Sequence, residues 1–139
     1  MKEELKLIEN LLEDPKKINK NELKKTLKIL FTKIENHINN YIGDFPTFIE
    51  PVYLEANVEI GDDVLLGPNV YIGPNVKIGD YVELSNAVIF DGTTLSNNIK
   101  LENCIVTANS HINFENFTLE SAILSGTANS ENKLQINKF

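Results

Sequence analysis

From Val52 onward an aliphatic residue returns every six positions, as Val52, Val58, Val64, Val70, Val76 and Val82. Two residues after each stands a second one: Leu54, Ile60, Leu66, Ile72, Ile78 and Leu84. A period of six suits neither an amphipathic helix nor one long strand. It suits short strands whose alternate side chains face a common interior, joined by tight turns. Gly61, Gly67, Gly73 and Gly79 follow four of the second aliphatics, and Asp62-Asp63, Pro68-Asn69, Pro74-Asn75 and Asp80 supply turn chemistry at the matching offset.

A longer period governs the rest. Leu84-Ser85-Asn86-Ala87-Val88-Ile89, Leu101-Glu102-Asn103-Cys104-Ile105-Val106 and Leu119-Glu120-Ser121-Ala122-Ile123-Leu124 are one phrase, repeated at intervals of 17 and 18 residues. Three hexapeptides make one such interval, so the phrase marks one three-sided coil. The inward series then runs 54, 60, 66; 72, 78, 84; 89, 95, 101; 106, 112, 119; and 124. That is four coils and the start of a fifth. Cys104 shares its place in the phrase with Ala87 and Ala122, which predicts a buried, inert thiol. Two buried aliphatics contribute roughly 3–6 kcal/mol per hexapeptide. Fixing six backbones costs on the order of 6–12 kcal/mol, so a coil needs neighbours and the stack needs caps.

The chain before the repeat has a different rhythm. Leu5, Ile8 and Leu12 predict a first helix ended by Asp14-Pro15. Asn21 as N-cap, then Leu23, Leu27, Leu30, Ile34, Ile38 and Tyr41, with Gly43 as the stop, predict a second. The organisation expected is a helical segment at 1–43, a β-helix at 44–125 and a C-terminal cap or tail at 126–139. The helices are expected to cap the first coil. The tail from Gly126 either covers the other end or is partly disordered.

Charge and composition narrow the chemistry. The formal net charge is -7, and it is unevenly spread: 9 lysines face 7 acids up to Gly43, and 4 lysines face 13 acids beyond it. An acidic solenoid repels phosphodiesters, which argues against a nucleic-acid partner. No arginine occurs anywhere, so the usual fork for a nucleotide phosphate is missing. No apolar run approaches the roughly 18–20 residues that cross a bilayer. The charged amphipathic opening Met1-Lys2-Glu3-Glu4 does not read as a signal peptide, and one cysteine gives no disulfide framework. A cytoplasmic protein with no membrane partner is the expectation.

The repeat resembles the hexapeptide-repeat superfamily, whose members form left-handed parallel β-helices and commonly assemble as trimers. The stretches Ile72-Gly73-Pro74-Asn75-Val76-Lys77-Ile78-Gly79-Asp80 and Leu84-Ser85-Asn86-Ala87-Val88-Ile89-Phe90-Asp91 further resemble the C-terminal domains of sugar-phosphate nucleotidyltransferases. The fold class implied is mainly β, a left-handed parallel β-helix with an N-terminal two-helix segment. In those enzymes a catalytic domain with a glycine-rich loop, an arginine and a proline-lysine pair precedes the β-helix. None of these marks is present here. Some relatives transfer acetyl groups from acetyl-CoA, using a histidine and a tyrosine in a loop after the segment like Ala87 to Gly92. The matching residues, Thr93 to Lys100, include neither.

Acyl transfer needs a base and donors for the thioester oxyanion. His111 is the only histidine in the repeat, and it precedes inward-facing Ile112, so it should point outward, with Asn109, Ser110 and Asn113 beside it as donors. A lone outward histidine is more often a surface residue than a catalyst. Zinc chemistry of the β-helical carbonic anhydrases requires three histidine ligands, and this chain has His37 and His111 alone. The leading expectation is a non-catalytic β-helix with no cofactor, a homotrimer that oligomerises or positions a sugar-nucleotide enzyme. The alternatives are a small acyltransferase that binds acetyl-CoA and uses His111 in an inter-subunit cleft, and a structural scaffold unrelated to sugars.

Overall fold

The computed structural model describes all residues, 1–139. The chain is mainly β, a parallel solenoid of about 5 turns preceded by two helices. Each coil contributes a short strand to each of three faces. Face A stacks Val52–Leu54 on Val70–Ile72 and then on the second halves of Glu83–Ile89, Ile99–Val106 and Phe117–Ser125. Face B stacks Glu59–Ile60, Lys77–Ile78, Thr94–Leu95, His111–Ile112 and Thr127–Ala128. Face C stacks Thr47–Phe48, Leu65–Leu66 and the first halves of the three long strands.

The register is the one the periodicity predicts. Leu54, Ile72, Ile89, Val106 and Leu124 pair in line on face A, and Ile60, Ile78, Leu95 and Ile112 on face B. Leu66, Leu84, Leu101 and Leu119 do so on face C. All but Leu119 are buried, and the six valines from Val52 to Val82 are buried with them. At the position of Val58 and Val76 the later coils carry Thr93 and Ser110, both buried. Thr93 Oγ1 donates to the Thr107 carbonyl at 3.0 Å, and Ser110 Oγ accepts from the Gly126 amide at 3.3 Å, so neither costs an unsatisfied group.

Corners turn through the left-handed region, where asparagine is tolerated better than bulkier residues. Asn57, Asn75 and Asn109 lie there between faces A and B, Asp63, Asn98 and Asn116 between B and C, and Asn69, Asn86 and Asn103 between C and A. Side chains bond from coil to coil along these columns: Asn57 Nδ2 donates to Asn75 Oδ1 at 3.3 Å, Asn69 Nδ2 to Asn86 Oδ1 at 2.9 Å, and Asn98 Nδ2 to Asn116 Oδ1.

The helices differ from the expectation in extent and in place. The first, α1, spans Lys2–Leu11, and the second, α2, spans Lys20–Lys33. The N-cap of α2 is Asn19, whose side chain accepts from the Glu22 amide at 3.1 Å, rather than Asn21. Ile34 is already extended, so Ile38 and Tyr41 belong to no helix. Asn36 explains the break: its Oδ1 accepts from the Val52 amide at 2.9 Å, tying this segment to the solenoid. His37 then pairs with Tyr53 and Ile42 with Glu59, which makes residues 36–49 a first coil. Gly43 is needed there because a Cβ would collide with the Ile60 carbonyl.

The helices cap no end. Leu5, Ile8, Leu23, Leu27 and Leu30 pack on the outer side of face A, against Tyr71, Val88, Phe90, Ile105 and Ile123. These outward aliphatics recur once per coil, so one apolar stripe is offered along the whole face and the helices cover it. Tyr71 Oη donates to Glu55 Oε2 at 2.8 Å beneath them, and burial first, then this bond, raises the phenol well above its ordinary range. The tail is ordered. Leu134 is buried on the core, and Gln135–Lys138 runs antiparallel to Ala122–Ser125, closing that edge.

Candidate functional site

Face B carries the one residue that the sequence singles out for chemistry. Its outward column reads Glu59, Lys77, Thr94, His111 and Thr127, each in register with the next. Lys77 Nζ lies 3.6 Å from Glu59 Oε2. His111 is half-buried and outward, and its Nδ1 lies 3.1 Å from Thr94 Oγ1. With Nδ1–H donating to that hydroxyl, Nε2 keeps the free lone pair that a base requires. No carboxylate is hydrogen-bonded to the ring to stabilise its charged form.

The donors expected beside it are not assembled. Ser110 points inward, 2.9 Å from Thr107 Oγ1. Asn109 occupies the corner before the strand, and Asn113 is exposed after it. Thr93 to Lys100 forms a tight turn and strand with no protruding loop, and Thr93 itself is buried. A shallow depression of about 370 Å³ on face B is lined by Lys77, Gly79, Thr94, Ser96 and Asn97, and His111 lies outside it. Nowhere do three or more histidine, cysteine or acidic side chains come together as a metal-binding group.

Sequence reasoning missed the larger depression, about 570 Å³, on face C. Glu83, Ser85, Lys100, Glu102, Thr118, Glu120 and Lys138 line it. Ser85, Glu102 and Glu120 are in register, as are Glu83, Lys100 and Thr118, and Lys100 Nζ lies 3.7 Å from Glu83 Oε2. The signal was in the once-per-coil phrase, whose second residue is Ser85, Glu102 or Glu120 and must face outward because it follows an inward leucine and precedes the corner. The groove is of mixed polarity and mixed sign, and neither Ser85 nor Thr118 has a base hydrogen-bonded to its hydroxyl. Cys104, behind it, is fully buried, and its Sγ donates to the Glu102 carbonyl at 3.2 Å. Burial pushes its pKa up to about 11, so it is a thiol and not a thiolate near neutrality.

No helix is long and apolar enough to cross a membrane. Among curated proteins none matches the chain. A solved maltose O-acetyltransferase from Clostridium difficile 630 aligns with 99% of this chain and 82% of its own, at 22% identity and a TM-score of 0.30. The stacked hexapeptide coils and the once-per-coil phrase have a firmer counterpart in sequence: the family model of the GMPPB C-terminal domain, a sugar-phosphate nucleotidyltransferase β-helix domain, matches residues 48–139, and the chain belongs to that family.

Proposed function

We propose that this chain is a non-catalytic assembly module of sugar-nucleotide enzymes, which self-associates as a trimer in the cytoplasm and positions a partner enzyme. The observation that carries this reading is the division of the solenoid surface. Face A is buried under the helices, whereas faces B and C carry ion pairs and hydroxyls with no chemical constellation around them. Membership of a nucleotidyltransferase-domain family without a glycine-rich loop or any arginine supports the same reading.

The second reading, an acyltransferase that binds acetyl-CoA, rests on the free Nε2 of His111. One experiment separates the two. Acetyl-CoA is assayed with amino-sugar phosphates and nucleotide amino-sugars, while light scattering gives the mass in multiples of 15.7 kDa. The expected result is a multimer with no turnover and no thermal stabilisation by CoA. Turnover that falls about 10²-fold or more in His111→Ala would replace the assembly role with catalysis. A clean monomer would remove the assembly role altogether.

A further inference from the structure

We propose that the outer surface of α2 docks on the corner between faces B and C of a second copy, so that subunits join side by side and head to tail. The proposal rests on the self-association just described and names the two surfaces that perform it. The first surface is basic. Helix α2 carries five lysines and one acid. Lys33 is paired with Glu4, whereas Lys24, Lys25 and Lys28 are exposed and take part in no ion pair. At 3.6 residues per turn these three gather on the side opposite Leu23, Leu27 and Leu30, which are buried on the solenoid. Ile29, beside them, is 41% exposed.

The second surface is acidic. Where successive coils turn from face B to face C, the chain places Asp62-Asp63, Asp80-Tyr81, Asn97-Asn98 and Glu115-Asn116. Hydrogen bonds hold the first residue of each pair in a column. Asp80 Oδ1 accepts from the Asp62 amide, Asn97 Oδ1 from the Asp80 amide, and Glu115 Oε1 from Asn97 Nδ2, each at 2.8 Å. The result is a straight edge with four acids, no lysine and no ion pair to neutralise it. Tyr81 stands in the middle of that edge, 59% exposed and stacked on no other ring of the chain. An exposed tyrosine among carboxylates suits a partner that brings ammonium groups and an aliphatic side chain together, since the ring attracts both.

Charge complementarity selects the occupant. The corner lies across the triangle from face A, where the helices sit, so the lysines and the acid edge cannot meet within one chain. Each copy therefore offers both halves of the contact. Lysines on lysines, or acids on acids, would repel, which fixes the pairing as helix to corner. Such a contact is heterologous: a pair keeps one free surface of each kind and adds subunits until the ring closes.

The test exchanges the charges. Lys25→Glu with Lys28→Glu reverses the helix surface, and Asp62→Lys with Asp63→Lys reverses the edge. All four side chains are exposed, so both variants should keep the wild-type circular dichroism spectrum. Sedimentation equilibrium at about 0.1 M salt, where charges act over about 10 Å, should give three or more chains for the wild type. Each variant alone should dissociate, with a subunit dissociation constant at least about tenfold higher. An equimolar mixture of the two should recover the wild-type mass, because each supplies the sign that the other has lost. The neutral pair Lys25→Gln with Lys28→Gln should fall between and guards against a folding defect. A wild type that stops at two chains, or folded variants that stay apart on mixing, would overturn the docking. An unchanged multimer in both variants sinks this inference and leaves the assembly role, whereas a monomeric wild type sinks both.

Discussion

Replacing Ile78 and Lys77 in turn by alanine tests the alternation on which the solenoid depends. Ile78 is 4% exposed and stacks between Ile60 and Leu95 in the interior. Removing its three outer carbons leaves a cavity in a column that the neighbouring coils hold apart, and truncations of this kind cost about 2–5 kcal/mol. Lys77, one residue earlier, has a side chain 66% exposed, with one long ion pair to Glu59 at 3.6 Å. Exposed pairs contribute at most about 1 kcal/mol. For a chain of this size 1 kcal/mol moves the melting point by about 3 °C. Ile78→Ala should therefore lower it by about 6–15 °C, and Lys77→Ala by less than about 3 °C, in matched calorimetric scans. Equal shifts would mean that the strand is turned over and the assigned register is wrong.

Cys104 should resist a thiol reagent in the native protein near pH 8 and react fully in denaturant. Its ordinary pKa of 9.0 rises to about 11 on folding, so the stability it confers is intact below pH 9 and lost as pH climbs towards 11. Rapid native labelling at pH 8 would contradict the burial. Deleting residues 1–33 should uncover Tyr71, Val88, Phe90, Ile105 and Ile123 together, giving strong binding of a hydrophobic dye and aggregation. A soluble, dye-silent truncation would show that the helices are dispensable to face A.

The interior was legible because nearly every hexapeptide spends two positions on aliphatics, and a single slip would send both outward. Even the coils of 17 residues kept register, since the recurring phrase places Ala87, Cys104 and Ala122 at one corner. The first coil was not legible. It holds Asn36, Gly43 and Pro46 where later coils hold aliphatics, and Ile34, Ile38 and Tyr41 happen to fall at helical spacing. The seat of the helices was half legible: Val88, Ile105 and Ile123 are apolar at outward positions, which a solvated face would not carry. His111 sits on the outward column its position predicts. Whether hydroxyls and amides gather round it depends on which corner bends inward, and Ser110 shows that a hexapeptide count alone does not decide that.

The layer of helices on face A also acts as a gauge of length. An α-helix of 14 residues measures about 21 Å. Five stacked strands, from Tyr53 to Ile123, span four gaps of about 4.8 Å, or about 19 Å. Solenoids can gain or lose a coil with little disturbance to the rest, since each repeat touches only its neighbours. Here an added coil would add an outward apolar residue to face A with no helix side chain supplied to cover it, and a lost one would take away part of the surface on which Leu5, Ile8, Leu23, Leu27 and Leu30 are buried. Duplication of a coil is therefore neutral for the core and harmful at the cover, so the number of turns in this protein is set from outside the repeat.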